Sequence, residues 1–284
     1  MGFDYRFPSG SQLLAGHLAV PPTRASGGPA PGLVLCHGYP VGVGGAATSA
    51  KSFPELADRI ARELGWVVLA FTLRGAGASE GDFSIGGWLD DVLAAVDHLV
   101  STEPLLGVWA VGFGSGGSLA ICAAGRDRRI RGVAAVGAPA DFDDWAGQPR
   151  RLLQHAREIG LIKDDAFPQS FELWARPLRD VRALQCVTLL PPRSLLVVHG
   201  TDDDVVPDFD ARVVADAHGA ADLKLIPGAG HRLRHDPRVV AVLLGWLDRE
   251  RHSVAARRRE PAPAEPVGGA PTEPVGGVPT EPSA

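Results

Sequence analysis

Cysteine is scarce, basic charge is not in surplus, and no long apolar run is present; each shortage removes a class of function. The three cysteines, Cys36, Cys122 and Cys186, form an odd, widely spaced set. Neither metal-ligand nor redox spacing joins them, and each lies in an apolar stretch, so buried thiols are expected. Lys and Arg number 28 against 33 Asp and Glu, a net charge of -5. A nucleic-acid partner is therefore not expected, since it would require a basic surplus on one face. The triplet Arg257-Arg258-Arg259 is too short to change that. A membrane span needs roughly 20 apolar residues, and the longest run, Val239 to Leu247, has nine. The opening MGFDYRFPSG lacks a basic segment followed by an apolar one, so no signal peptide is expected. Arg6 stands where a myristoylation signal needs a small hydroxyl residue. The chain reads as cytoplasmic, without a membrane partner.

What is present is enough to bury a large core: 284 residues, 45% of them hydrophobic. The end is different in kind. From Arg257 the sequence runs RRREPAPAEPVGGAPTEPVGGVPTEPSA, with near-copies of an octad at 265–272 and 273–280, and seven of the 24 prolines fall after Glu260. Such a segment buries too little to offset the entropy of ordering, so 253–284 is expected to be a disordered tail. A solvated spacer and a docking segment for a protein partner are both open readings of it.

Residues 1–252 alternate between two periods and read as one domain. Short apolar runs occur at 33–36, 66–71, 108–111, 133–136, 195–198 and 223–226, after an earlier strand at 11–20. Between them lie amphipathic helices: one with Phe53, Leu56, Ala57, Ile60 and Leu64 on a single face, one with Trp88, Leu89, Val92, Val96 and Leu99, and others near 116–124, 208–217 and 237–249. Apolar strands joined by such helices predict an α/β fold, a mostly parallel, doubly wound sheet with helices on both faces. The rhythm stops between Phe142 and Pro192. Two or three helices are expected there, a cap-like insertion at about 142–192 over the strands' C-terminal edge, where open α/β sheets place their sites.

Five ordered motifs, HGYP (37–40), TLRGAGASEG (72–81), VGFGSGGSLA (111–120), HGTDDDVVP (199–207) and GAGHRLRHDP (228–237), resemble the α/β-hydrolase superfamily, most of all its serine aminopeptidase and acyl-esterase-like members. The resemblance covers about residues 10–250. It implies that Asp203 is the acid of a catalytic triad and His231 its base, with Asp202 and Asp204 as solvated turn carboxylates. It also implies an oxyanion hole built from the backbone N–H groups of Tyr39 and Ser115.

The family's nucleophile lies in a strand–G-x-S-x-G–helix elbow, and here the sequence departs from the pattern. One register, Gly112-Phe113-Gly114-Ser115-Gly116, puts Gly114 in the nucleophile's place. The other, Phe113-Gly114-Ser115-Gly116-Gly117, puts Ser115 there but sets a large Phe where the tight turn needs a small residue. The first fits the elbow better. A glycine adopts the bend's backbone conformation at little steric cost, keeping the turn while discarding the chemistry. Ser115 would then open the helix, its hydroxyl bonding within the helix terminus.

Other candidates have plainer readings. Ser79 and Arg74 to Gly77 form a structural turn, with Thr72 where relatives often carry Asp; Cys36 has no activating base in sequence reach; His199 satisfies a local backbone group. Trp145 and Trp174 either line a pocket or pack on the sheet. No metal or organic cofactor is expected, because no Cys/His cluster has ligand spacing and the turn at 112–117 lacks a phosphate-loop lysine. The expected function is that of an esterase- or peptidase-related protein with weak or absent hydrolysis, binding a small acyl- or peptide-like ligand. The competing readings are an active serine hydrolase (carboxylesterase or peptidase) using Ser115, and a lyase- or thioesterase-like activity using His231 without a covalent step.

Overall fold

The structure is a computed structural model that describes residues 2–22, 28–40, 44–48 and 51–259, with side chains through residue 253. Phe3–Ser9 (β1) and Gln12–Ala19 (β2) form an antiparallel hairpin. Ala30–Cys36 (β3), Val67–Phe71 (β4), Leu105–Phe113 (β5), Ile130–Val136 (β6), Ser194–Gly200 (β7) and Asp222–Ile226 (β8) complete an eight-stranded sheet in the order β1-β2-β4-β3-β5-β6-β7-β8. β2 pairs antiparallel with β4, and every pairing beyond it is parallel.

The parallel pairing follows from the helices between strands. Phe53–Leu64 (α1) joins β3 to β4, Ile85–Thr102 (α2) joins β4 to β5, and Ser115–Arg126 (α3) joins β5 to β6. β3 reads as an unbroken apolar run because both its faces are covered. Leu33 and Leu35 belong to the core under α1, with Phe53 and Ile60, whereas Val34 and Cys36 join Trp88, Val92 and Leu119 on the opposite side. β1 carries no such run. Its Phe7 is buried while Phe3 is 54% exposed, so this edge strand lacks the apolar signature from which the other strands are legible.

Between β6 and β7 the chain forms five short α-helices, not the two or three helices expected: Asp143–Gly147 (α4), Pro149–Glu158 (α5), Phe171–Ala175 (α6), Pro177–Asp180 (α7) and Ala183–Cys186 (α8). Pro149 and Pro177 each open a helix; a residue without an N–H starts a helix readily and cannot continue one through itself. Asp208–His218 (α9) then links β7 to β8, and Pro237–Arg259 (α10) packs Val239, Leu243 and Leu247 beside α1. The sequence reading ends that helix near Arg249 and puts 253 onward in the tail. Its continuation to Arg259 has a local cause: after Gly245 neither Gly nor Pro interrupts the chain before Pro261. The rest of the proposed tail, from 260, lies outside the described residues.

The turn after β4 is held by charge. Asp91 of α2, fully buried, accepts from the Arg74 backbone N–H at 2.8 Å, from Arg74 Nη2 at 2.7 Å and from Ser9 Oγ at 2.7 Å. Ser79 Oγ donates to the Thr72 carbonyl at 2.6 Å and accepts from the Ala15 N–H at 2.9 Å, a scaffold role. Cys36 and Cys122 are buried, and Cys186, expected to be buried, is half-buried.

Candidate active site

β5 ends at Phe113, α3 begins at Ser115, and Gly114 is the bend between them, with φ 56° and ψ -132°. Phe113 packs its ring edge-on against Phe53 at 5.4 Å. The surrounding glycines explain how tight the bend is. A Cβ on Gly112 would run into the Gly116 carbonyl, and one on Gly116 into the His37 carbonyl. A Cβ on Gly114 would meet nothing nearer than Gly38 Cα and His231 Nε2, each 3.9 Å away. The one open direction at this turn therefore faces an imidazole.

That imidazole stands in the loop after β8. His231 Nδ1 lies 2.9 Å from Asp203 Oδ2 and 3.1 Å from Oδ1. Asp203 sits in the turn after β7 with its side chain fully buried. Its Oδ1 accepts from the N–H groups of Val205 at 3.0 Å and Val206 at 2.9 Å, and its Oδ2 lies 3.3 Å from His199 Nε2. Burial alone would push the carboxyl up. The hydrogen bonds from His199, His231 and the two amides outweigh it and hold Asp203 far below the usual carboxylate range. An ionised Asp203 facing Nδ1 favours the tautomer that leaves Nε2 as the acceptor toward Gly114. Asp202 and Asp204 are exposed.

His199 does more than the sequence reading gave it. Its Nε2 donates to the Val206 carbonyl at 2.9 Å, as expected, but it also faces Asp203. Burial lowers this imidazole, while the Asp203 and Val206 contacts together raise it above its ordinary value. Its spacing of four residues before Asp203 hints at the contact, which forms only because the turn folds back.

Opposite the bend lies the 37–39 loop. His37 is buried, its Nε2 accepting from the Leu73 N–H at 3.0 Å and its Nδ1 donating to the Gly38 carbonyl at 2.7 Å. Burial pushes it down to about 4, so it is neutral near pH 7. Ser115 departs from expectation. Among the described residues its hydroxyl makes no bond within the helix terminus; Oγ accepts from the Tyr39 N–H at 2.9 Å. The physical reason is the close approach of the loop, where Gly38, lacking a side chain, lies against Gly114 Cα and Ser115 N. The sequence reading treats the Tyr39 N–H as an open donor, and it is engaged.

A cavity of about 870 Å³ opens over Gly114, Ser115 and His231, walled by Tyr39, Phe142, Trp145, Leu152, Val206 and Asp210. Its walls come largely from α4 and α5, so the inserted helices cover the strand ends. Trp145 stacks on Phe142 at 5.0 Å and lines the cavity. Trp174 does not; it is buried, donating Nε1–H to the Phe83 carbonyl at 2.8 Å. A second cavity, about 570 Å³, lies between the β1–β2 hairpin and Phe53, and neither His231 nor Asp203 lines it. Among the described residues no cluster of His, Cys, Asp or Glu could hold a metal ion, and no helix is long and apolar enough to cross a membrane.

A sheet with an antiparallel edge, a bend after its central strand and a His–Asp pair on two later loops define a recognisable class. The alpha/beta hydrolase family model matches residues 33–243, and the chain belongs to that family. Among curated proteins none matches the sequence significantly. Similar solved structures include Est1E from Butyrivibrio proteoclasticus (18% identity, TM-score 0.67, covering 89% of this chain and 99% of that one). GrgF, an alpha/beta hydrolase from Penicillium sp. sh18, has 19% identity and a TM-score of 0.68 over 89% and 99% of the two chains. An esterase of Pyrococcus furiosus has 17% identity and a TM-score of 0.60 over 90% and 91%. These likenesses are of fold.

Proposed function

We propose that this chain binds a small acyl- or peptide-like ligand in the cavity over Gly114 without forming an acyl intermediate, its hydrolytic activity weak or absent. One observation carries the reading: the residue at the bend, whose Cβ direction points at His231 Nε2 from 3.9 Å, is a glycine. In an elbow of this kind the bend residue supplies the attacking oxygen, and a hydrogen cannot. Ser115 is no substitute, because its Oγ is held by the Tyr39 N–H and makes no hydrogen bond to His231 among the described residues. Loss of such a serine costs about 10⁶-fold in kcat. The Asp203–His231 pair favours a second reading, in which His231 Nε2 acts as a base on the bound ligand in a lyase- or thioesterase-like step.

Labelling with a fluorophosphonate tests the first reading. Its covalent step joins a serine oxygen to phosphorus, expels fluoride and passes the serine proton to His231. Wild type and Ser115→Ala are expected to remain unlabelled and Gly114→Ser to be labelled. Wild-type labelling that disappears in Ser115→Ala would overturn the proposal and make the chain an active serine hydrolase.

A further inference from the structure

We infer that Ser115 closes the oxyanion site: its hydroxyl oxygen sits on the Tyr39 N–H, where a ligand's acyl oxygen would otherwise bind. The inference rests on the Gly114 reading and deepens it, because it makes this site blocked at two atoms. One change removes the attacking oxygen; the other fills the place where negative charge would develop.

The geometry leaves the Tyr39 amide little freedom to serve a ligand instead. Ser115 Oγ is 2.9 Å from Tyr39 N, and Ser115 is only 5% exposed. The loop cannot draw back, because Tyr39 is fixed at its other end. Its hydroxyl meets His155 Nδ1 at 3.0 Å, and its ring packs on Phe83 at 5.4 Å and Trp145 at 5.0 Å. Nor can the loop close further: a Cβ on Gly38 would already lie 3.2 Å from Ser115 N and 3.3 Å from Gly114 Cα. If the Ser115 hydroxyl rotated away with no ligand in place, a part-buried N–H would lose its partner. An incoming acyl oxygen must therefore break an existing hydrogen bond to gain the Tyr39 donor, and it keeps only the Ser115 N–H as a ready one. The cavity accordingly selects ligands by its aromatic and carboxylate walls rather than by two-donor recognition of a carbonyl oxygen.

Two measurements test this. In amide hydrogen exchange, the Tyr39 N–H is expected to be protected in wild type and to exchange at least about tenfold faster in Ser115→Ala and in Ser115→Cys, whose sulfur is a poor acceptor. Equal protection in all three overturns the inference, whatever becomes of Gly114. The second measurement is turnover of p-nitrophenyl acetate by Gly114→Ser and by Gly114→Ser/Ser115→Ala, with thermal melts confirming that both are folded. Here the introduced hydroxyl oxygen bonds to the acetyl carbon, p-nitrophenolate leaves, His231 takes the proton, and water then releases acetate. One oxyanion donor is worth about 10²–10³ in kcat; an acyl oxygen that displaces the Ser115 hydroxyl recovers part of that, so the double variant is expected to exceed Gly114→Ser by at least about 10-fold. A double variant equal to or slower than Gly114→Ser overturns the inference, because the Ser115 hydroxyl would then be neutral or itself a donor to the oxyanion. Fluorophosphonate labelling separates the two ideas: no labelling of either variant counts against the Gly114 reading, and the exchange result still decides the role of Ser115.

Discussion

A Cβ on Gly112 or Gly116 would collide with backbone, whereas one on Gly114 would find open space but an unfavourable φ of 56°. These residues thus predict different mutational responses. Gly114→Ala is expected to lose about 1–3 kcal/mol, the range for a residue held in a sparsely populated backbone conformation. Gly112→Ala and Gly116→Ala set a methyl against carbonyls that cannot yield and should lose more than about 3 kcal/mol. Urea unfolding of the three variants checks the order; a Gly114→Ala loss matching that of Gly112→Ala would count against the described bend. At this scale the sequence was readable where chemistry follows chain order. Asp203 and His231 stand where motif order puts them, and they meet at 2.9 Å. The partner of Ser115 was not readable, because it depends on how closely the 37–39 loop approaches α3, and spacing along the chain carries no such distance.

A histidine ties the hairpin to α1 beside their apolar packing. His17 of β2 places Nδ1 2.6 Å from Asp4 of β1 and Nε2 3.0 Å from Asp58 of α1. Burial by itself lowers this imidazole, but the hydrogen bonds and charges of Asp58 and Asp4 outweigh it and raise it above its ordinary 6.5. The folded state therefore holds the proton more tightly than the unfolded chain. Its contribution is fully present below pH about 6.5 and is lost as pH rises through the higher folded value. The stability gap between wild type and His17→Gln is expected to be wider at pH 5.5 than at pH 8.5 in paired urea titrations; a gap that grows with pH would refute the clamp. Neither this contact nor β1 itself is legible in the sequence. An edge strand covered on one side lacks the solid apolar run that marked β3 to β7, and the clamp joins residues 41 positions apart.

Across the whole molecule, the sheet has one core under α1 and α10 and another under α2, α3 and α9, and the inserted helices extend the second core over the strand ends. The two tryptophans of that insertion look equivalent in sequence, both set among charged residues and short apolar stretches. Folding separates them. Trp174 is 5% exposed, ties α6 to the Phe83 carbonyl and lies in the core cluster; Trp145 stays half-buried with one side on the cavity. Replacing Trp174 by Ala removes a large buried ring and a hydrogen bond together, so a loss of about 3–5 kcal/mol is expected. Trp145→Ala should lose clearly less, since part of its surface already faces the cavity, yet it removes a wall against which a ligand would rest. Binding of Nile red, a neutral apolar dye that reports cavity walls, should therefore weaken in Trp145→Ala. In Trp174→Ala it should be retained under conditions where that variant is still folded. Urea unfolding and dye titration on the same pair of variants decide the matter, and a larger stability loss in Trp145→Ala than in Trp174→Ala would mean that the insertion packs on the sheet through the other ring.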